Sequence, residues 1–517
     1  MKRSVCAFFL LQALLLTTAG ATAMFNVRDY GAKGDGRIKD TKALQRAIDA
    51  CAAAGGGTVL FPPGIYLSGS LHLQSGVALN IGHGATVLAS PDDDDFDPYE
   101  ELGFENDADH ETSYFHHALL WGEDVERLAV FGRGTIDGNR EKRGGPKPIA
   151  LKRCRHVQIS DITILNAPNY AISMLGTDYV HIHGVSILNG YCDGIDPDAC
   201  QHVRISDCHI ETWDDAIVPK ASFSLGYRRA TAYLTVTNCQ LATNCNAFKL
   251  GTESGGDFKY ITVSNCVMFN RPGMERHPTS GISLESVDGA DIDGVVISNI
   301  SMINVCSPIF LRLGNRGRDM EQPVPGSLKN VIISNITASG ADFTCPIAGI
   351  PGHPVENVTL SDIRLTFKGG GERDLARIEV PEHEGKYPGA RMFGDLPSYG
   401  FYCRHVKELE MRNVQLACET ADLRHAFFFE DVQNLHIRGC SVDGTAGAAQ
   451  MLFREVGDAL VSGCVPGPGV PLFLRLDGFG NKDIALLNND FRRISKVIEI
   501  ETGMAAPPVF MEGNLMP

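Results

Sequence analysis

VQISDI at residues 157–162, VHIHGV at 180–185 and VRISDC at 203–208 are three copies of one short pattern. LTVTNC (234–239), ITVSNC (261–266), VVISNI (295–300), VIISNI (331–336) and VTLSDI (358–363) continue it. Weaker copies begin at Leu409, Leu435, Leu460 and Ile484. Apolar and polar residues alternate within each copy, as they do in a strand with one buried face. Asn, Asp or Gly then marks a bend. Most neighbouring copies start 23 to 36 residues apart. A strand–bend–strand unit at that period predicts an all-β chain wound as a single-stranded right-handed parallel β-helix. A β-propeller or β-sandwich is the competing all-β arrangement. It fits less well, because two-residue hairpin turn signals are scarce.

The repeat also governs how the length is read. About 490 residues would suggest several domains, but a solenoid grows by adding rungs. We therefore expect one unit over 24–517, with 24–90 as its N-terminal cap and first coils. Phe25–Tyr30 reads as a short strand. DTKALQRAIDACAA (40–53) has helical spacing with Asp40 as N-cap, and Gly55–Gly57 ends that helix. A helix over the open end would hide the edge of the solenoid.

Residues 1–23 read as a signal peptide: Lys2 and Arg3, an apolar core over 8–16, and the cleavage pattern Ala21-Thr22-Ala23. A secreted or periplasmic protein is expected. The formal charge is −16, or −18 once Lys2 and Arg3 are removed, which argues against nucleic acid or an anionic membrane as partner. A monomer is expected. Of fifteen cysteines, Cys208, Cys239, Cys266, Cys440 and Cys464 recur at one place in the repeat. That favours a buried ladder of thiols over disulfides. No CxxC pair suggests structural zinc. The loop PDDDDFD (91–97) reads as solvated acid, with calcium as the alternative. Residues 367–398 interrupt the repeat, and long loops on a rigid scaffold often form binding sites.

The chemistry concentrates in YCDGIDPDACQHVRISDCHIETWDDAIVPK (191–220). Asp193 and Asp214 are 21 residues apart, close to one rung, so stacking brings them together. Close like charges raise one another's proton affinity, and one can then serve as an acid. Glycoside hydrolysis needs such an acid beside a base for water. On spacing alone the alternative stays open that Asp196, Asp198 and Asp207 are bend residues and only the tandem Asp214–Asp215 is unusual.

These motifs resemble glycoside hydrolase family 28, the polygalacturonase-type enzymes. The resemblance starts with VRDYGAKGDG (27–36), DTKALQRAIDAC (40–51) and GGGTVLFPPGIY (55–66). It continues through GRGTIDG (132–138) and LNAPNYAISML (165–175). It is strongest over CDGIDPDAC and TWDDAIVPKAS (192–222), similar to the family's NxDGxD and DD motifs. The segment 380–405 resembles one in bacterial members. The resemblance implies a pectin-lyase-like solenoid. It also implies Asp214 as general acid, Asp193 and Asp215 as the carboxylates that hold and activate water, an inverting displacement, and no metal or cofactor. The substrate would be a pectin-type or related plant or algal glycan. Four positions depart from the family: Tyr191 replaces an Asn, Trp213 precedes the DD pair as a sugar platform or packed surface residue, Asn246 replaces the GHG histidine, and Ser283-Leu284-Glu285 replaces the RIK strand. A uronate needs a cation, and Lys249 or Arg312 is the candidate. A lyase or epimerase, or a non-catalytic glycan-binding solenoid, are the competing functions.

Overall fold

The computed structural model describes residues 23–501 and 509–517, apart from Pro272, Glu275 and Ala446. The leader therefore lies outside the described residues. The chain winds as parallel rungs. One turn runs through three strands: β1 (Ile172–Leu175), then 178–183 and 186–190. The next begins with β2 (Ile195–Asp198) and runs on through 201–206 and 209–212. All strand pairs in the two sheets are parallel, joined by the right-handed crossovers such sheets require.

Register follows the repeat seen in the sequence. Val157 pairs with Val180, Val203, Leu234, Ile261, Val295, Val331, Val358, Leu409 and Leu435 in succession. The next rungs carry Ala459 and Ile484. The copy expected to start at Leu460 thus starts one residue earlier, which turns Ala459 inward and Leu460 outward. The bend residues behave as expected. Asp207, Asn238, Asn265, Asn299 and Asn335 all adopt positive φ, and side-chain amides link Asn238 to Asp207, Asn299 to Asn265 and Asn335 to Asn299 at 2.6–3.2 Å. Asn and Asp tolerate that left-handed conformation better than other side chains.

Stacked Val, Ile and Leu side chains form one continuous core from Val27 to Ile494. Truncating one of them, such as Ile205, to Ala should cost about 2–5 kcal/mol. The cysteine column joins this core. Cys208, Cys239 and Cys266 are buried, and each thiol donates to the carbonyl two residues earlier. Among the described residues no cysteine is disulfide-bonded.

The cap differs in detail. Met24–Asn26 is a strand, but Val27–Tyr30 is a 3-10 turn rather than its continuation. Helix α1 (Thr41–Ala53) buries Leu44, Ala47, Ile48 and Cys51. Asp40 precedes it without capping it; its carboxylate takes the Lys33 and Gly34 amides at 2.7 and 2.8 Å. The acidic loop is solvated over 91–94, as expected, and is tied down by ion pairs: Asp93 with Arg140, Asp95 with Lys39, and Asp97 with His72 and the Trp121 indole.

Candidate active site

Three segments stack to make the site. Ile195 of β2 pairs with Ile217, and Ile217 with Phe248 of β3 (Asn246–Leu250). The residues two positions earlier are Asp193, Asp215 and Asn246, so they also stack. Asp214 stands beside Asp215 in the turn entering the middle segment. Thr212 and Thr243 fix that turn by donating their hydroxyls to the Asp214 carbonyl, the first at 2.7 Å. Oxygens of Asp214 lie within 4.8 Å of oxygens of both Asp193 and Asp215. The expected carboxylates are thus brought together.

Their surroundings differ. Asp193 is buried, accepts the Asp215 amide at 3.1 Å and takes the Lys220 ammonium at 2.9 Å. Burial, reinforced by Asp196, Asp214 and Asp215 and opposed by Lys220, pushes its pKa well above the ordinary carboxylate value. Burial also acts to raise Asp215. Lys249 at 3.1 Å and the Asn246 side-chain amide at 2.7 Å outweigh it and hold Asp215 below the ordinary value. One carboxyl is therefore biased toward the proton and its neighbour toward the charge. Asp214 is the most open of the three, and its carboxylate meets the Arg143 guanidinium at 2.6 Å.

Several expected substrate contacts have other roles. Asn246 is buried and donates both its backbone and side-chain N–H to Asp215, so it supports a carboxylate rather than facing substrate. Lys249 lies between Asp215 and Glu285, 3.9 Å from the latter. Glu285, in β4 (Ser280–Ser286), is buried and accepts from Ser283; burial raises its pKa, so it does not project a charge into the cleft. The cation of the altered RIK strand has in effect moved to the preceding rung and is spent on Asp215.

Arg312, in β5 (Ser307–Leu313), is not a uronate anchor either. Its guanidinium is buried and donates to the carbonyls of Gly349, Glu382 and His383 at 2.8, 2.9 and 3.3 Å. It pins the 367–398 insertion. Trp213 remains 40 % exposed, with the Tyr191 ring centroid at 6.2 Å and the Arg271 guanidinium at 4.9 Å. Tyr191 and Trp213 thus line the edge where the chain enters the site.

Sequence reasoning missed Arg143, Glu111, Lys220, Lys147 and Tyr170. Arg143 bridges Asp214 and Glu111, the latter at 3.1 Å. Lys220 links Asp193 to Asp196 and lies 4.0 Å from the Tyr170 ring centre. Only Lys220 had a signal: Asp198 and Lys220 are register neighbours 22 residues apart, as Asp193 and Asp215 are.

Comparison with known proteins gives the class. Residues 24–270 match the family described as rhamnogalacturonase A/epimerase, pectate lyase-like. A probable polygalacturonase of Vitis vinifera is 25% identical over 65% of this chain and 73% of its own length. An exopolygalacturonase of Platanus acerifolia is 27% identical over 68% of this chain and 92% of its own. The crystal structure of an exopolygalacturonase from Thermotoga maritima superposes with a TM-score of 0.60 at 20% identity, covering 76% of this chain and 91% of that one. The chain is thus similar to polygalacturonases and shares with them a pectin-lyase-like parallel β-helix. The resemblance to family 28 read from the motifs holds against these relatives.

Proposed function

We propose that this enzyme hydrolyses an acidic, pectin-type polysaccharide outside the cytoplasm by a single inverting displacement. The observation that carries the chemistry is the gathering of three carboxyls at one point, the open Asp214 within 4.8 Å of both Asp193 and Asp215, with Lys249 paired to Asp215 at 3.1 Å. Asp214, the most open carboxyl, delivers the proton to the departing glycosidic oxygen. Asp215 takes the proton of the attacking water, and Asp193 orients that water. Inversion is supported by the family chemistry rather than by spacing. Asp214 and Asp193 approach within 4.8 Å, below the roughly 6.5–9.5 Å usual between inverting carboxyl groups.

The insertion favours action at a chain end. Ala390, Phe393 and Leu396 pack on Phe310, Ala348, Tyr402, Phe428 and Leu452, along the catalytic sheet. Phe310 lies three rungs from Asp215, about 14 Å along the helix axis. Tyr387 of the insertion comes within 5.8 Å of the Lys249 ammonium. The groove is thus short on that side. A lyase reading fares worse, because Lys220 and Lys249 are both buried against acids and neither is free to take a proton beside a uronate.

The test incubates wild type and Asp214→Asn with polygalacturonate, rhamnogalacturonan and neutral glycans, and follows products by chromatography and proton NMR. Saturated products of inverted configuration, lost in the variant, are expected. Retained configuration would make Asp193 a candidate nucleophile, and ultraviolet-absorbing unsaturated products would mean elimination.

A further inference from the structure

A second surface on the catalytic rungs has the makings of a binding site. The residue before each strand of the repeat adopts positive φ on rung after rung. Gly294, Asn330, Asn357, Asn434, Asp458 and Asp483 hold that place on six rungs, and Arg127 and Glu408 on two single rungs. Five consecutive rungs instead carry His156, Tyr179, His202, Tyr233 and Tyr260, with φ of 54–59°. Bulky side chains are unusual in that conformation, and strain of this kind persists where something repays it. The rings stack face to face with centroids 4.6–5.4 Å apart and interplanar angles of 7–21°. All five remain exposed. Stacking occupies the ring faces, so the solvent side presents edges: a row of phenol hydroxyls and imidazole nitrogens, one per rung.

Beside this ridge runs a groove of about 650 Å³. Its floor is the outward row Gln158, His181, Arg204 and Thr235, in register on successive rungs. No Asp or Glu lines it, although the chain carries 62 acids and a net charge of −16. Arg155 lies over the Tyr179 ring at 4.7 Å and adds a second guanidinium at the ridge. The nearby Asp178 is already engaged by Arg229 at 2.8 Å. Guanidinium and imidazole donors in an acid-free groove complement a carboxylate-bearing chain.

We propose that this groove is a second, non-catalytic site that holds a stretch of an acidic polysaccharide while the enzyme works on the same polymer. The site lies on a different sheet from Asp193 and Asp215 but on the same rungs, so one long chain can reach both. Two weak contacts joined by one polymer raise the effective concentration of substrate without any change in the catalytic carboxylates. The proposal does not depend on which carboxyl donates the proton.

Affinity electrophoresis in gels containing polygalacturonate or a neutral glucan tests it, using Asp214→Asn protein so that the polymer survives. The groove variants share one unaltered catalytic cleft with their parent, so the retardation they lose reads binding at the groove. Retardation by polygalacturonate but not by the glucan is expected, and Tyr179→Ala/Tyr233→Ala should reduce it at least about threefold. Arg204→Ala alters the floor without touching the stack and should weaken retardation at least about threefold, which guards against a misfolded ridge variant. Retardation unchanged in both variants, absent from the start, or equal in the neutral glucan overturns the proposal; a ridge variant that merely melts earlier would leave a structural ladder only. Cleavage of a short galacturonate oligomer by groove variants that keep Asp214 is measured separately. If that cleavage is absent in wild type as well, the hydrolase reading has failed and the groove result still stands.

Discussion

Asp214 meets Arg143 at 2.6 Å, yet the proposed mechanism needs it free to protonate a leaving oxygen. The guanidinium must therefore change partners when substrate arrives, and a uronate carboxylate is the natural replacement. Lys249 and Arg312 are both committed elsewhere, and of the cations near the mouth of the site Arg143 is the one in contact with Asp214. Arg143→Ala should raise KM for an acidic oligosaccharide by about tenfold or more with little change in kcat. A fall in kcat at constant KM would instead make Arg143 a positioning residue for Asp214. Asp214→Asn should lower kcat by about 10²–10⁴-fold, the range expected for loss of a general acid, with the thermal midpoint preserved. The sequence showed Asp193, Asp214 and Asp215 because rung spacing alone stacks them. Arg143 comes from a bend and Glu111 from the short helix His110–Ser113, both between repeat strands, and no period in the chain pointed to them.

At the scale of elements, the repeat was legible because alternation and bend residues recur in the same order on each rung. It failed at Leu460, where Ala459 and Leu460 are both apolar and alternation no longer tells inside from outside. The insertion was visible as a gap in the period, but its seat on Phe310, Tyr402 and Phe428 was not, since those side chains point outward from strands whose inward faces look ordinary. Arg312 joins insertion to sheet. Arg312→Met strands the carbonyls of Gly349 and Glu382, so it should lower the thermal midpoint and expose 380–396 to protease, with KM changed less than about threefold; each stranded carbonyl costs about 1–3 kcal/mol. Strand 147–152, which pairs with β1, holds another buried cation, Lys147. Burial, opposed by Asp196 and Glu100, pulls the Lys147 pKa down to about 7, against roughly 10.4 in an unfolded chain. Between those values the unfolded chain binds a proton that the folded chain lacks, so Lys147 makes stability rise with pH across that window. The difference in unfolding midpoint between Lys147→Met and wild type should therefore change most between pH 7 and 10. A constant offset over that range would mean that Lys147 is charged throughout.

On the scale of the whole molecule, the solenoid sets how a polymer can approach. Catalytic groups and insertion share one sheet, and the insertion covers that sheet from about three rungs beyond Asp215. A chain lying along the helix axis would run into it, whereas a chain end would not. Among the described residues the core supports this geometry without cross-links: its thiols are free and mostly buried, and every rung is held by its neighbours. A reducing agent should thus leave the unfolding midpoint unchanged. The same rigidity keeps the insertion in place, because its apolar side chains dock on five successive outward positions rather than on a flexible loop. The expected consequence is exo-action. At equal numbers of bonds cleaved, the enzyme should lower the viscosity of its polymer far less than an enzyme that cuts internally, and small saccharides should appear from the earliest time points. An early ladder of intermediate oligomers with a steep viscosity drop would show that polymer threads past residues 380–396, and the short groove would then not govern the pattern of cleavage.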